Sequence, residues 1–259
     1  MDGWKRLICL TLALSASALS LYACNAGRDD DTTVSVQGNW SGTYASAESK
    51  GTIPVFGLVQ QDGPAYLYDS TGVVYVLPTF TGSVKLKGPV TAFPAMGYTF
   101  ADGSSSMPLT MSGTADDAEL ELDLDAASSQ GRSGQAELAP LETYPGKPSV
   151  LASGWNGYYL SPTPAAIAVS ADSAGDLTGS DGYGCMLQGR MRQLDPSSTL
   201  FAITLQSTGD SPACGGAFTG IAHESPYDSF NLFQGAQGIY YYLCVSNSTM
   251  AFVAVLKAQ

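Results

Sequence analysis

The feature that most constrains this chain is a motif that occurs twice. Gly38-Asn39-Trp40-Ser41-Gly42-Thr43-Tyr44 and Ser153-Gly154-Trp155-Asn156-Gly157-Tyr158-Tyr159 both read Trp-x-Gly-x-Tyr, and they hold every tryptophan except Trp4. Each heads a long run of short segments rich in β-branched and aromatic residues. Turn residues separate those segments, as in Gln61-Asp62-Gly63-Pro64, Asp69-Ser70-Thr71-Gly72 and Asp172-Ser173-Ala174-Gly175. Strands bounded by such turns are hairpin building blocks, and few stretches carry the Ala/Leu/Glu/Lys mixture that favours helix. The chain is therefore expected to be all-β, with two tandem antiparallel domains, each a barrel or a sandwich. The first is expected over 36–144 and the second over 150–259, joined by a Pro- and Gly-containing linker at 145–149. At 259 residues, two domains of about a hundred residues each are of ordinary size.

Alternation within the strands says which side chains turn inward. Leu120, Leu122 and Leu124 alternate with Glu119, Glu121, Asp123 and Asp125, so a period of two sends three leucines to a core and the carboxylates to solvent. Same-face neighbours on a strand lie roughly 6.8 Å apart. The ladder alone therefore cannot encircle a calcium ion, and no EF-hand loop spacing accompanies it. Solvated carboxylates that also discourage edge-to-edge pairing are the expectation. Trp40 and Trp155 are expected as core plugs. Tyr240 and Tyr242 fall on the face opposite Tyr241, which makes them a candidate binding surface.

The N-terminal stretch gives an address. Lys5 and Arg6 precede an apolar run from Leu7 to Ala23, about seventeen residues and short of the roughly twenty needed to span a bilayer. It ends in Leu21-Tyr22-Ala23-Cys24. This resembles the lipobox of bacterial lipoproteins, with an aliphatic residue at −3, a small one at −1 and then cysteine. The resemblance implies a signal peptide over 1–23, cleavage by signal peptidase II, and lipidation of Cys24 as the first residue of the mature chain. Residues 24–35, with Asp29, Asp30 and Asp31, would be a flexible tether. Three acyl chains hold a protein stably, since each buried methylene contributes about 0.8 kcal/mol. Asn25 after the cysteine, where Asp favours inner-membrane retention in enterobacterial lipoproteins, implies the outer membrane.

A second, local resemblance covers about twenty-five residues. Trp155-x-Gly157-x-Tyr159 followed by a hairpin into Asp176-Leu177-Thr178-Gly179 is similar to the opening of calycin barrels such as avidin-like proteins and lipocalins. The first repeat keeps their Gly-x-Trp as Gly38-Asn39-Trp40, and the second departs from it, with Gly154 directly before Trp155. The resemblance implies a barrel. It implies no biotin-type site, which would need several tryptophans where each domain here has one.

Charge and reactive residues then restrict function. The formal charge is −12. Without Asp2, Lys5 and Arg6 it becomes −13, and no Lys/Arg cluster offsets it, which argues against nucleic acid as a partner. Of the five cysteines, Cys9 leaves with the leader and Cys24 takes lipid. Cys185 and Cys214, both beside glycines, form the preferred disulfide, worth roughly 3.5 kcal/mol for a loop of about thirty residues. Pairings with Cys244 stay open, and their spacing matches no zinc or redox motif. His223 is the only histidine. Gly209-Asp210-Ser211 resembles the nucleophile segment of trypsin-like proteases, but Pro212 replaces a glycine and His223 follows the serine instead of preceding it. No catalytic residues, metal or cofactor are assigned. The expected function is an envelope lipoprotein acting as a non-enzymatic binding module, such as an inhibitor of, or immunity protein against, a basic envelope-acting protein. The alternative is a structural or assembly lipoprotein of the outer membrane.

Overall fold

The computed structural model describes residues 36–46, 51–80, 85–116, 118–126, 133–141, 154–194, 196 and 198–259. The leader, Cys24, the tether and the linker lie outside the described residues. Sixteen strands are present among those described. The first eight are β1 (Gly38–Ser46), β2 (Thr52–Val59), β3 (Gly63–Asp69), β4 (Val74–Phe80), β5 (Lys85–Phe93), β6 (Met107–Ala115), β7 (Leu120–Ala126) and β8 (Gly134–Pro140). The second eight are β9 (Gly154–Tyr159), β10 (Ala166–Ala171), β11 (Asp176–Asp181), β12 (Met186–Gln193), β13 (Leu200–Thr208), β14 (Gly216–Ser225), β15 (Tyr240–Ser246) and β16 (Ala251–Ala258).

Each set is a meander in which every strand pairs antiparallel with the next, and each closes on itself. The first barrel is sealed by β1 against β8, with Trp40 opposite Pro140 and Tyr44 opposite Ala136. The second is sealed by β9 against β16, with Trp155 opposite Ala258 and Tyr159 opposite Ala254. The choice between barrel and sandwich is thus resolved in favour of two closed eight-stranded barrels.

The twin motif sits on these seams. Along β1, Trp40, Gly42 and Tyr44 occupy successive inward positions, as do Trp155, Gly157 and Tyr159 along β9, and all four aromatic side chains are buried. At the central glycine an added Cβ would run into the backbone of the closing strand. A Cβ on Gly42 would lie 1.8 Å from the carbonyl oxygen of Glu137, and one on Gly157 would lie 1.9 Å from that of Val255. A side chain cannot be accommodated there, as it cannot at Gly113 and Gly220 on ordinary strand pairs, so glycine is required where these strands lie close. The motif thus lies on the closing seam of each barrel.

Local turn chemistry is equally regular. Asp69, Asp172 and Asp181 each open a tight turn in which a glycine three residues on, Gly72, Gly175 or Gly184, adopts positive φ of 83–88°. In each turn one carboxylate oxygen accepts the backbone N–H groups two and four residues later. For Asp69 these are Thr71 N (2.8 Å) and Val73 N (3.2 Å), for Asp172 Ala174 N and Asp176 N, and for Asp181 Tyr183 N and Cys185 N. The aspartate satisfies donors that a bare loop would leave to water. The first two turns were legible as Asp-x-x-Gly in the sequence.

Two apolar clusters fill the barrel interiors. The first includes Trp40, Tyr44, Tyr75, Phe80, Met107 and Met111, with the three leucines of β7. The second includes Trp155, Tyr159, Phe201, Phe218, Tyr241 and Phe252. An eight-stranded barrel is of a size that side chains can fill or that can hold one small ligand, and here large aromatic and methionine side chains occupy it. A third cluster lies between the barrels. It joins the outward-facing Leu58, Tyr66, Tyr68 and Val74 of the first barrel to Ile221, Tyr240, Tyr242, Cys244, Val253 and Val255 of the second. Strands β15 and β16 are consequently buried on both faces along nearly their whole length.

Candidate functional site

With the interiors filled, the features that could recognise another molecule are on the outer walls and at the joint. The acidic ladder forms a strongly charged wall. Leu120, Leu122 and Leu124 are inside, while Glu121, Asp123 and Asp125 are exposed on the outside of β7. Pairing with β8 adds a further carboxylate, because Glu121 stands directly opposite Glu137. Asp123 stands opposite Gln135, whose amide donates to its carboxylate at 2.8 Å. These side chains rim a shallow groove of about 220 Å³ over β6, β7 and β8, with Thr114 on its third side. Like charges opposite one another on a strand pair are destabilising, so this wall carries a local cost that a cationic partner would relieve. Among the described residues no group of three or more His, Cys, Asp or Glu could hold a metal ion.

The joint has its own cleft of about 470 Å³, lined by Pro64, Tyr66, Pro78, Phe93, Thr219 and Asn247 among others. Tyr66, Ser246 and Asn247 have their polar atoms already engaged. The Tyr66 hydroxyl donates to the Thr219 carbonyl oxygen at 3.0 Å and lies 3.1 Å from Ser246 Oγ. Asn247 Nδ2 donates to the Gly215 carbonyl oxygen, and its Oδ1 accepts from Thr249 N, Thr249 Oγ1 and Met250 N. Burial pushes the Tyr66 hydroxyl up to about 12, so it stays protonated and can donate.

The residues singled out from sequence divide clearly. Cys185 and Cys214 are joined in a disulfide with Cα atoms 5.3 Å apart, tying the β11–β12 turn to the β13–β14 connection. Cys244 is a buried free thiol facing the joint, and burial pushes its pKa up. Trp40 donates through Nε1 to the Val36 carbonyl oxygen at 2.9 Å. Among the described residues Trp155 Nε1 is buried without a hydrogen-bond partner, and its ring packs 4.8 Å from that of Tyr241. Tyr241 in turn donates to Glu224 Oε2 at 2.5 Å, so this carboxylate is held inside the barrel end.

The expectation of a binding surface at Tyr240 and Tyr242 is corrected. Both point away from the barrel interior as alternation requires, but both are buried. The β14–β15 connection and the first barrel cover them. Tyr242 donates to the Tyr227 carbonyl oxygen and accepts from Ser229 N, each at 2.7 Å, and Tyr240 donates to the Ala236 carbonyl oxygen. Their hydroxyls pin that connection in place.

His223 and Ser211 are not brought together. Ser211 lies in the connection before β14, where its Oγ accepts from Ala213 N. His223 is seven residues along β14 from Gly216, about 23 Å of strand. It is buried, its Nδ1 lies 3.1 Å from Thr199 Oγ1, and burial lowers its pKa to about 4. A neutral histidine held by a threonine is a structural arrangement. The joint residues Phe56, Tyr66, Met96 and Phe230 escaped sequence reading, although the unbroken apolar runs at Tyr240–Val245 and Ala251–Leu256 signalled strands covered on both faces.

No family model matches the chain, and no curated protein matches it in sequence. Among solved structures, a Bacteroides fragilis protein provisionally described as an outer membrane protein is similar over 86% of this chain and 97% of its own, at 13% identity and a TM-score of 0.29.

Proposed function

We propose that the protein is an envelope lipoprotein, anchored through Cys24, that acts as a non-enzymatic binding module for a basic protein. One observation carries the reading. The exposed wall of β7 and β8 gathers Glu121, Asp123, Asp125 and Glu137 on a rigid barrel surface, with Glu121 and Glu137 directly opposed. A strongly negative surface attracts a cationic partner over a Debye length and speeds encounter. The lipid anchor would hold this wall near the membrane, where an inhibitor of, or immunity protein against, a basic envelope-acting protein would work.

The test uses the soluble chain Asn25–Gln259 as bait in an envelope extract. A stoichiometric basic partner is expected, released by raised salt and lost on the combined change Glu121→Gln, Asp123→Asn, Asp125→Asn and Glu137→Gln. Binding insensitive to both would remove charge as its basis. A second reading, a structural or assembly lipoprotein of the outer membrane, is favoured by the apolar joint that fixes one barrel on the other. An empty pull-down with lipidated and soluble forms alike would favour it. Lipidation itself is read from mass and membrane partitioning, both of which should change on Cys24→Ala.

A further inference from the structure

Strand for strand the two barrels correspond, so their connections can be compared in pairs. The first barrel passes from β6 to β7 through residues 116–119, whereas the second passes from β14 to β15 through residues 226–239. Conversely, the first barrel spends residues 94–106 between β5 and β6, where the second needs only 209–215 between β13 and β14. Each barrel therefore has one long connection where its counterpart has a short one, and both long connections cross to the other barrel.

From the second barrel, Phe230 packs on Phe56 at 4.5 Å and on Tyr68 at 5.6 Å, both on the outer wall of the first. From the first barrel, Met96 is buried in the cluster that fills the second, and its carbonyl oxygen accepts from Tyr183 Oη at 3.3 Å. Tyr98 donates to Thr163 Oγ1 at 2.8 Å on the same side. Tyr66, bonded to Thr219 and Ser246, makes a separate polar contact. These contacts flank a buried apolar patch, the anatomy of a specific protein–protein interface.

We infer that the two barrels recognise one another as partners, so that the joint holds them together without the covalent link. The partner of each wall is the other barrel of the same chain, and the two long connections carry the recognition.

The experiment keeps the full soluble chain. A site for a specific protease is inserted between Leu141 and Gly154, the folded protein is cut, and its mass is followed by size-exclusion chromatography with light scattering at about 1 µM. Co-elution of both halves at the mass of the uncut chain is expected. Separation at that concentration would overturn the inference. The pair Met96→Ser and Phe230→Ser should make the cut halves separate while the uncut variant keeps the mass of the uncut parent chain. Should that variant fail to fold, Tyr66→Phe removes only the hydroxyl and should raise the dissociation constant of the cut halves roughly tenfold. A dissociation constant unchanged by Tyr66→Phe would overturn the role given to that contact and with it the joint as described.

Discussion

The two barrels share a seam motif, a meander and a strand count, yet they stabilise their walls differently. The first spreads five of its outward positions over carboxylates, Glu119, Glu121, Asp123, Asp125 and Glu137, and turns residues of β2, β3, β4 and β5 toward its neighbour. The second buries β15 and β16 on both faces and adds the Cys185–Cys214 disulfide. Closure is thus common to both halves, whereas what each wall faces is particular to each. The lesson is that inward positions encode the barrel and outward positions encode its neighbours.

That division can be tested by treating the barrels alike. Gly42→Val and Gly157→Val both force a side chain into a carbonyl oxygen under 2 Å away. Each should cost more than about 4 kcal/mol, measured by urea unfolding. Tolerance at either site would mean that the seam there is not as tight as its counterpart. The second comparison concerns acid. The second barrel holds the only histidine, buried and neutral, with its pKa lowered to about 4 from an ordinary 6.5. Below pH 6.5 the unfolded chain takes up a proton that the folded chain refuses, so stability falls between pH 6.5 and 4 and this contribution is flat below. The loss should total about 3 kcal/mol. His223→Gln should abolish that part of the pH dependence, and an unchanged acid limb would place its origin elsewhere.

Smaller effects separate the two tryptophans. Trp40 has a carbonyl partner for its N–H and Trp155 has none among the described residues. Phenylalanine at either site loses volume, but only Trp40→Phe leaves an acceptor unpaired, while Trp155→Phe removes a buried unsatisfied donor. Trp40→Phe should therefore be the more costly, by about 1–2 kcal/mol. Equal losses in thermal unfolding would contradict this difference between the seams. Smallest of all, Glu137→Gln relieves the opposition to Glu121 and should stabilise the first barrel by about 0.5 kcal/mol at low salt, an advantage that 1 M salt should erase.

Much of this architecture is legible in the sequence because its signals are local. The Leu120/Leu122/Leu124 alternation, the Asp69 and Asp172 turns and the paired Trp-x-Gly-x-Tyr all act within a few residues of themselves. The joint is not local. Tyr240 and Tyr242 alternate correctly with Tyr241, but whether an outward tyrosine meets water or another barrel depends on residues such as Phe56 and Tyr68, far away in the chain. Phe230 and Met96 were hidden further, since each sits in a connection rich in Gly, Pro or Asn, where composition says only that the chain turns. The acidic wall was visible as a ladder, and the register that sets Glu137 against Glu121 was not.

Two closed, filled barrels joined by an apolar contact should behave as one body. Differential scanning calorimetry of the soluble chain at neutral pH tests this most directly. A single transition, with calorimetric and van't Hoff enthalpies in agreement for the whole chain, is the expected result. Two resolved transitions, each with the enthalpy of about half the chain, would show instead that the barrels unfold independently and that the joint does not couple them.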